Sequence, residues 1–320
     1  MIVVAGEALI DLVPAAGTGH SPVADSGSGT GTANGGGDMP ALLPRRGGGP
    51  YNTAVALGRL GSSVAFCSRV STDVFGESLL GGLSADGVDV SLVQRGQEPT
   101  TLAVAAIGAD GSAGYGFYVE GTADRLFGLP GALPESTRAV SFGTCSLMLE
   151  PGAGAYEQLM RREAARGVFT ALDPNIRASL IPDADAYRAR FLSWLPHTSL
   201  LKLSEEDADW LGGTPREWLA AGPSAVVLTH GGEGLRVLTR DGEEYAVPGE
   251  KVDVVDTIGA GDTVNAALLH RLGAHDAFTP GAIGDLGEAE WKDILGFAAR
   301  AAAITCSRAG AEPPYASELG

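Results

Sequence analysis

The stretch DTIGAGDTVNAALLHRL, residues 256–272, places a carboxylate directly after a loop that is almost free of side chains. The run EEYAVPGEKVDVV before it is strand-like and NAALLHRL after it is helix-like, so DTIGAGD is predicted to be a strand-to-helix turn. The first N–H groups of a helix have no intrahelical partner, and the helix dipole is positive at that end. Because Gly259, Ala260 and Gly261 let a ligand approach these donors, the turn is predicted to bind an anion, with phosphate favoured.

Asp262 is the unexpected group at such a site, because a carboxylate repels a phosphate. If it faces the phosphoryl group in transfer, it can orient a substrate hydroxyl and accept its proton. The helix N-terminus is expected to keep Asp262 ionised and therefore weakly basic, which suffices where phosphoryl transfer needs orientation more than basicity. The alternative is that Asp262 only caps its helix.

A second glycine cluster, in VVLTHGGEGLRVL (226–238), lies between two predicted strands. Thr229, Gly231 and Gly234 could contact a nucleotide there, although for this stretch by itself an ordinary glycine-rich hairpin turn is the better explanation. Neither GxxxxGK[ST] nor GxGxxG after the first strand occurs. This argues against P-loop kinases and NAD-dependent dehydrogenases.

The elements that must position these residues alternate between short apolar strands and helices. The predicted strands are MIVVAG, SVAFCSRV, TLAVAAIG, RAVSFG, GVFTALD, LLKLS and AVVLTH. Helices are predicted at 52–60 and, with Thr214 as N-cap and Gly222 past its end, in TPREWLAAG. The alternation predicts a mainly parallel sheet covered by helices on both faces.

Two segments depart from this alternation. Residues 15–44 are rich in Gly, Ser, Thr and Pro, a composition that predicts a flexible excursion. Residues 100–119 are predicted to form a β-hairpin. Appended to an α/β sheet, such a hairpin would serve as a lid.

Composition restricts the possible partners. The 320-residue chain is 44% hydrophobic with a formal net charge of −17, which disfavours nucleic acid and anionic membranes as partners. No run of 18 apolar residues and no signal-peptide pattern occurs, so a cytoplasmic protein is expected. The scattered cysteines and histidines predict buried free thiols and no zinc site.

Two further motifs indicate a protein family. Together with DTIGAGD, the segments GGGPYNTAVALGRLG (47–61) and SRVSTDVFG (68–76) resemble the ribokinase-like (PfkB) family of sugar kinases. The resemblance covers nearly the whole chain. GEALIDLVP (6–14) and LDPNIRASLIP (172–182) are similar to the fructokinase branch of this family. The resemblance implies one α/β domain over 1–320, with a central, mainly parallel sheet flanked by helices and a small β-sheet lid from about 8–46 and 95–122.

The resemblance also implies roles for individual residues. Asp262 would be the catalytic base, and the amides of Gly259, Ala260 and Gly261 would form the anion hole. The sugar would contact Asp11, Gly48, Gly49, Asn52 and, at the sugar or the phosphates, Arg177. Asn52 offers both a donor and an acceptor, although it could also cap its helix. ATP would contact Thr229, Gly231, Gly234 and Lys202.

Metal ions are implied by the resemblance too. Mg²⁺ would be steered through water by Asp207, with Glu206 as the alternative, because SEED (204–207) stands where the family often has Asn-x-x-Glu. Main-chain carbonyls of Asp256, Ile258 and Gly310 would hold a monovalent cation such as K⁺.

The expected function is therefore ATP-dependent phosphorylation of a sugar hydroxyl. Val119 in GFYVEGTAD stands where many relatives carry a lid arginine that would pair with an acidic sugar, so a neutral hexose, fructose first, is predicted. The alternatives are a 2-keto-3-deoxygluconate, ribose or nucleoside kinase, or a sugar-binding relative without catalysis. Pairing of two lids into a homodimer is left open.

Overall fold

The computed structural model describes residues 1–15, 41–107 and 113–320. The strands are β1 Ile2–Ala5, β2 Leu9–Pro14, β3 Leu42–Gly47, β4 Val64–Cys67, β5 Arg69–Ser71, β6 Gln94–Gly96, β7 Leu102–Ile107, β8 Ala113–Tyr118, β9 Ala139–Gly143, β10 Phe169–Asp173, β11 Leu200–Ser204, β12 Ala225–Thr229, β13 Leu235–Thr239 and β14 Glu244–Val247. The helices are α1 Gly49–Arg59, α2 Val74–Ala85, α3 Gly152–Ala165, α4 Ala184–Trp194, α5 Glu205–Leu211, α6 Pro215–Ala221, α7 Ala260–Ala274, α8 Pro280–Gly284 and α9 Glu288–Cys306.

An eight-stranded sheet forms the centre, in the order β14-β13-β12-β11-β10-β9-β1-β4. The pairs from β4 through β12 are parallel, and β13 and β14 add an antiparallel edge. Both faces are buried: in β1, Ile2 and Val4 join one core cluster while Val3 and Ala5 join the other. The continuous apolar strands predicted this arrangement correctly, since a parallel sheet needs helices on both faces.

The strand order places a crevice at the carboxyl ends of β1, β9 and β10. From β1 the chain passes to β4 on one side and then returns to β9 on the other. In open α/β sheets, ligands bind where the strand order reverses in this way. The residues that follow β1, β9 and β10 are therefore the ones that the fold brings to a common site.

A smaller, separate sheet has the order β3-β2-β7-β8. The β7–β8 pair is antiparallel, as predicted for the hairpin at 100–119, and residues 108–112 between the two strands lie outside the described residues. Asp11 of β2 is paired with Arg45 and Ala103, and Ala103 with Phe117. Directly paired residues share a face of a sheet, so Asp11 and Phe117 are on the same face. Most of the predicted excursion at 15–44 also lies outside the described residues.

Three local predictions differ from the structure. The helix predicted at 52–60 begins earlier, at Gly49, so Asn52 lies inside its first turn and cannot be its N-cap. The strand predicted before Asp256 is limited to Glu244–Val247, because Pro248 follows and proline cannot donate to a ladder. The strand predicted in SVAFCSRV is divided between β4 and β5, and β5 pairs with β6 in a separate two-stranded sheet.

None of the helices in the described part of the chain has both the length and the apolar character needed to span a membrane.

Candidate active site

A cavity of about 270 Å³ lies at the carboxyl ends of the central strands, between the large sheet and the smaller one. It is lined by Glu7, Leu9, Asp11, Gly48, Gly49, Asn52, Phe117, Thr144, Cys145, Asn175, Arg177, Thr257, Ile258, Gly259, Gly261 and Asp262. The predicted sugar residues Asp11, Gly48, Gly49, Asn52 and Arg177 thus share one cavity with Asp262. The sequence separates them by up to 251 positions, and the topology brings them together.

Asp262 lies in the first turn of α7, but it does not cap the helix. The N-cap is Gly259, and no side chain caps this helix end. The Asp262 carboxylate instead accepts a 2.9 Å hydrogen bond at Oδ2 from Nδ2 of Asn52. The capping interpretation is therefore wrong, and the carboxylate is free to face the cavity.

The environment of Asp262 makes it a better base than the sequence predicted. Burial raises the pKa of Asp262 to about 7; the hydrogen bond from Asn52 acts against this rise, nearby Asp173 adds to it, and Lys202 and Arg177 oppose it. The expectation that the helix N-terminus would keep this group a weak base is therefore not met, because desolvation outweighs it. A carboxylate with a pKa near 7 suits proton abstraction at neutral pH.

The glycine loop before α7 requires its glycines. Gly259 has a φ of +76°, and a Cβ atom there would lie 2.5 Å from Cβ of Ala311. Both the left-handed backbone and the tail packed against it therefore exclude a larger residue. The loop can approach an anion closely because no side chain covers the first turn.

Asp11 and Arg177 are opposite charges on the walls of the same cavity. Burial raises the pKa of Asp11 to about 6, and Arg177 acts against that rise. Nη1 of Arg177 donates to Oδ1 of Asn175 at 2.7 Å and to main-chain oxygens of Asn175 and Ile176. This guanidinium is therefore partly committed to its own loop, and, although the residue is exposed, it lies on the wall of the cavity.

A second cavity, of about 240 Å³, lies on the other side of the glycine loop. It is lined by Thr229, Gly231 and Gly234, the residues predicted to contact ATP, and its other wall is apolar, with Val252, Val254, Val264, Ala299, Ala302 and Ala303. Thr257 and Gly261 line both cavities. A ligand in each cavity would therefore meet at the first turn of α7.

Lys202 lies beneath this junction. Its side chain is buried, and Nζ is 2.9 Å from Oδ2 of the equally buried Asp173. A Cβ atom on Gly261 would lie 3.1 Å from that Nζ. Burial opposes the charge of Lys202, but Asp173 outweighs this effect and raises its pKa, so the ammonium is held charged under the glycine loop.

Asp207 has a clear structural task. Its Oδ1 accepts from the amide of Ile176 at 2.7 Å, and its Oδ2 accepts from the hydroxyl of Ser204 at 2.7 Å in the capping box of α5. Both carboxylate oxygens are thus engaged, and the side chain is buried. This geometry gives no support to the prediction that Asp207 steers Mg²⁺, whereas Glu206 is exposed.

The three predicted monovalent-cation residues lie together. Asp256 accepts from the amide of Ile258 at 3.0 Å and from the amide of Gly310 at 2.9 Å. Its carboxylate therefore joins the glycine loop to the C-terminal tail.

Sequence reasoning missed several residues of the site. Glu7 accepts from the amide of Ser146 at 2.9 Å and from the hydroxyl of Thr144, and burial raises its pKa. Thr144 and Asn175 have positive φ, +58° and +39°, which residues with a side chain rarely adopt. Both follow central strands, so the rule that strand ends meet at one edge would have identified them.

The sequence matches the profile described as pfkB family carbohydrate kinase over residues 1–318. The chain belongs to this family. It is 38% identical over 297 residues to a fructokinase of Rhizobium leguminosarum bv. trifolii, a match that covers 90% of this chain and 84% of the relative. It is 30% identical to fructokinase-1 of Oryza sativa subsp. japonica, covering 100% of this chain and 95% of that one.

A solved structure, fructokinase from Xylella fastidiosa with bound ATP, is similar with a TM-score of 0.83 and 26% identity, covering 99% of this chain and 96% of that one. The predicted ribokinase-like α/β fold is thereby confirmed. The chain is a carbohydrate kinase, a phosphotransferase that acts on a sugar, so the prediction of an enzyme rather than of a non-catalytic sugar-binding protein is confirmed as well.

Proposed function

We propose that this kinase transfers the γ-phosphoryl group of ATP to a hydroxyl of a neutral ketose, with fructose as the first candidate. The observation that carries the proposal is the position of Asp262. It lines the cavity that holds the predicted sugar residues, one position after Gly261, which lines both that cavity and the predicted nucleotide cavity. A base is required where an acceptor hydroxyl meets a phosphoryl donor.

The assignments of individual residues follow from this placement. Asp262 removes the proton from the sugar hydroxyl, the hydroxyl oxygen bonds to the γ-phosphorus, and ADP departs with the bridging oxygen. The amides of Gly259, Ala260 and Gly261 stabilise the charge on the transferred group. Asn52 fixes the carboxylate through its 2.9 Å hydrogen bond, and Lys202 places a positive charge beneath the loop.

The charges of the sugar cavity favour a neutral substrate. Its walls carry the carboxyl groups of Glu7, Asp11 and Asp262 and the single guanidinium of Arg177. Arg125 donates to Val119, Glu120 and Glu150, and neither Arg125 nor Arg45 and Arg46 of β3 line this cavity. A sugar carboxylate would therefore face three carboxyl groups and one guanidinium, whereas hydroxyl groups can donate to Asp11. The names of the relatives as fructokinases agree with a ketohexose.

The smaller sheet would act as a lid over the sugar. Leu9, Asp11 and Phe117 of this sheet line one wall of the cavity, and the strand-end loops of the large sheet line the other. A substrate that contacts both walls excludes water, which would otherwise compete as the phosphoryl acceptor. Pairing of two lids into a homodimer stays a prediction, and light scattering of the purified chain measures it.

Mg²⁺ would enter with the nucleotide. The described residues contain no cluster of three His, Cys, Asp or Glu side chains that could hold a metal, and Mg²⁺ commonly relies on substrate phosphates with one or two carboxylates. When bound, it neutralises charge on the phosphates. Glu206 is exposed and is the alternative to contact its water shell, because both carboxylate oxygens of Asp207 are engaged. K⁺ at Asp256, Ile258 and Gly310 stays a prediction.

A coupled ADP-release assay across a panel of sugars tests the substrate. We expect the highest kcat/KM with fructose, lower values with ribose and nucleosides, and the lowest with 2-keto-3-deoxygluconate, at identical ATP and Mg²⁺. A higher value for the acidic sugar would refute the neutral-sugar proposal and would assign Arg177 to its carboxylate. NMR of the product identifies the phosphorylated hydroxyl.

A further inference from the structure

A small hollow lies behind the catalytic base and shares Gly49, Thr144 and Asp262 with the wall of the sugar cavity. Its volume is about 10 Å³, which is close to the space that one water molecule needs. Its walls come from β1, α1, β9, β10 and α7, and they are Val4, Gly49, Pro50, Thr53, Ser141, Phe142, Gly143, Thr144, Asp173, Asp262 and Asn265. Asp262 therefore lies between this cavity and the sugar cavity.

Two buried polar side chains on these walls each carry one oxygen without a hydrogen-bond partner among the described residues. Oδ1 of Asp173 and Oδ1 of Asn265 have no hydrogen bond among the described residues, and each side chain belongs to a residue that is only 4% exposed. The remaining polar atoms of both are engaged: Oδ2 of Asp173 with Nζ of Lys202 at 2.9 Å, and Nδ2 of Asn265 with Oγ of Ser141 at 3.1 Å. If the Asn265 amide were turned over, Nδ2 would be the unpartnered atom, so either orientation leaves one polar atom at this cavity.

Unpartnered polar atoms of this kind are rare, because each costs the free energy of its lost hydration. Pro50 contributes no N–H group, and Val4 and Phe142 contribute apolar side chains to the same walls. A bound water, with two donors and two acceptor sites, matches a cavity with two unpartnered acceptors and an acid beside them.

We infer that this cavity is a binding site for one ordered water that bridges Asp173 and Asn265 and positions Asp262. The water donates to Oδ1 of Asp173 and Oδ1 of Asn265, and its oxygen faces the Asp262 carboxyl group. When the sugar O–H bond breaks and the proton bonds to Asp262, the new carboxylic acid needs an acceptor, which the water oxygen supplies. Asn265 and Asp173 are thus positioning residues of the phosphoryl transfer, a role that rests on the proposed function.

The catalytic consequence is a specific effect on turnover. Asn52 holds Oδ2 of Asp262 from the sugar side, and the water accepts from the carboxyl group once that group has taken up the proton. Without the water the newly formed acid has no acceptor behind it, so the proton transfer is less favourable, while the residues that bind sugar and ATP are unchanged. Loss of this site should therefore lower kcat and leave both KM values nearly constant.

Asn265→Leu removes the amide and leaves an apolar wall. Its matched control is Thr263→Val on the same helix, which removes a buried hydrogen bond, 3.0 Å to Thr305, that faces α9. We expect Asn265→Leu to lower kcat about tenfold more than Thr263→Val, which corresponds to one unmade buried hydrogen bond, with KM for both substrates within about twofold of wild type. Asn265→Ser, which keeps a hydroxyl on that wall, should recover part of the loss and serves if the leucine variant does not fold.

A crystal structure of the full chain, at a resolution that shows ordered water, gives the direct test. Density within hydrogen-bond distance of Asp173, Asn265 and Asp262 is the expected result. An empty cavity, or protein partners for both side chains, would overturn the inference, and so would equal kcat values for Asn265→Leu and Thr263→Val. If the wild-type chain phosphorylates no sugar in the panel, the proposed function fails, while the density still decides whether the water site exists.

Discussion

Asn52 and Asp262 are 210 positions apart in the sequence, and a 2.9 Å hydrogen bond joins Nδ2 of the amide to Oδ2 of the carboxylate. One residue belongs to the first turn of α1 and the other to the first turn of α7. Two helix N-termini thus converge on one carboxylate. This convergence links the sugar-binding turn to the anion loop, so that a sugar hydroxyl held by α1 is presented to the base on α7.

Asp262→Asn should separate binding from turnover. The amide keeps an oxygen that can accept from Asn52, but it cannot accept a proton at neutral pH. We expect kcat to fall by roughly 10²-fold or more while the affinities for sugar and ATP stay nearly constant. Steady-state kinetics and calorimetric binding measure the two effects, and a loss of less than tenfold would remove Asp262 from the catalytic role.

Thermal unfolding of the same variant at pH 8 is its control. The pKa of Asp262 is raised in the folded protein to about 7, so the folded state binds the proton more tightly than the unfolded state does. The contribution of Asp262 to the free energy of unfolding of wild type should therefore fall as pH rises from about 4 to 7. The asparagine variant has no buried carboxyl group to ionise at this position, so its Tm at pH 8 should equal or exceed that of wild type.

The pH dependence of the wild-type reaction reports the same group. We expect kcat/KM for the sugar to rise with pH through an apparent pKa of about 7, because Asp262 must lose its proton to act as the base. Asn52→Ala removes a hydrogen bond that lowers this pKa, so the rising limb should move to higher pH. Thr53→Val on the same helix is the control, since its hydroxyl contacts only the main-chain oxygen of Asp262. An identical midpoint in wild type and Asn52→Ala would contradict the assignment.

Gly259→Ala should destabilise the protein. Its φ of +76° and the 2.5 Å approach of Ala311 leave no room for a methyl group, so we expect the free energy of unfolding to fall by about 1–3 kcal/mol. Gly81→Ala is the matched control, because Gly81 lies in α2 with no atom near its missing Cβ. That change should be neutral or slightly stabilising. Urea unfolding of both variants makes the comparison, and similar losses would show that the loop tolerates a side chain.

The sequence predicted the elements and the anion loop better than the contacts between them. Strand positions followed from apolar runs, and the DTIGAGD turn followed from its glycines and the helix after it. The pairing of Asn52 with Asp262 could not be predicted from spacing, because it depends on how two distant helices pack. The helix start at Gly49 was missed because glycine and proline suggested a loop, although proline is well suited to a first helical turn.

Burial explains the other misses. The raised pKa of Asp262 arises mainly from desolvation, which depends on the assembled core and not on the neighbours of Asp262 in the sequence. Glu7 follows β1 in the motif GEALIDLVP, in which only Asp11 was predicted to contact the sugar. The family resemblance assigned Asp207 to Mg²⁺, yet its carboxylate forms the capping box of α5. A capping box has its own sequence signature, Ser followed by an acid three residues later, and that signature was present in SEED.

The buried ion pair of Lys202 and Asp173 is expected to serve both the stability of the fold and the binding of ATP. Lys202→Met removes the partner that lies 2.9 Å from Asp173, and breaking a buried ion pair on one side typically costs about 3–5 kcal/mol. Burial already raises the pKa of Asp173, so the unpaired carboxyl group should take up a proton more readily in the folded protein. The stability deficit should therefore be larger at pH 8 than at pH 5.

Asp173→Asn combined with Lys202→Met should restore much of the stability at pH 8 but leave KM for ATP raised, because the charge beneath the glycine loop is still missing. Urea unfolding at the two pH values and ATP titrations measure both effects. Additive losses in the double variant would show that the pair is not coupled, and an unchanged KM for ATP would show that Lys202 serves the fold alone.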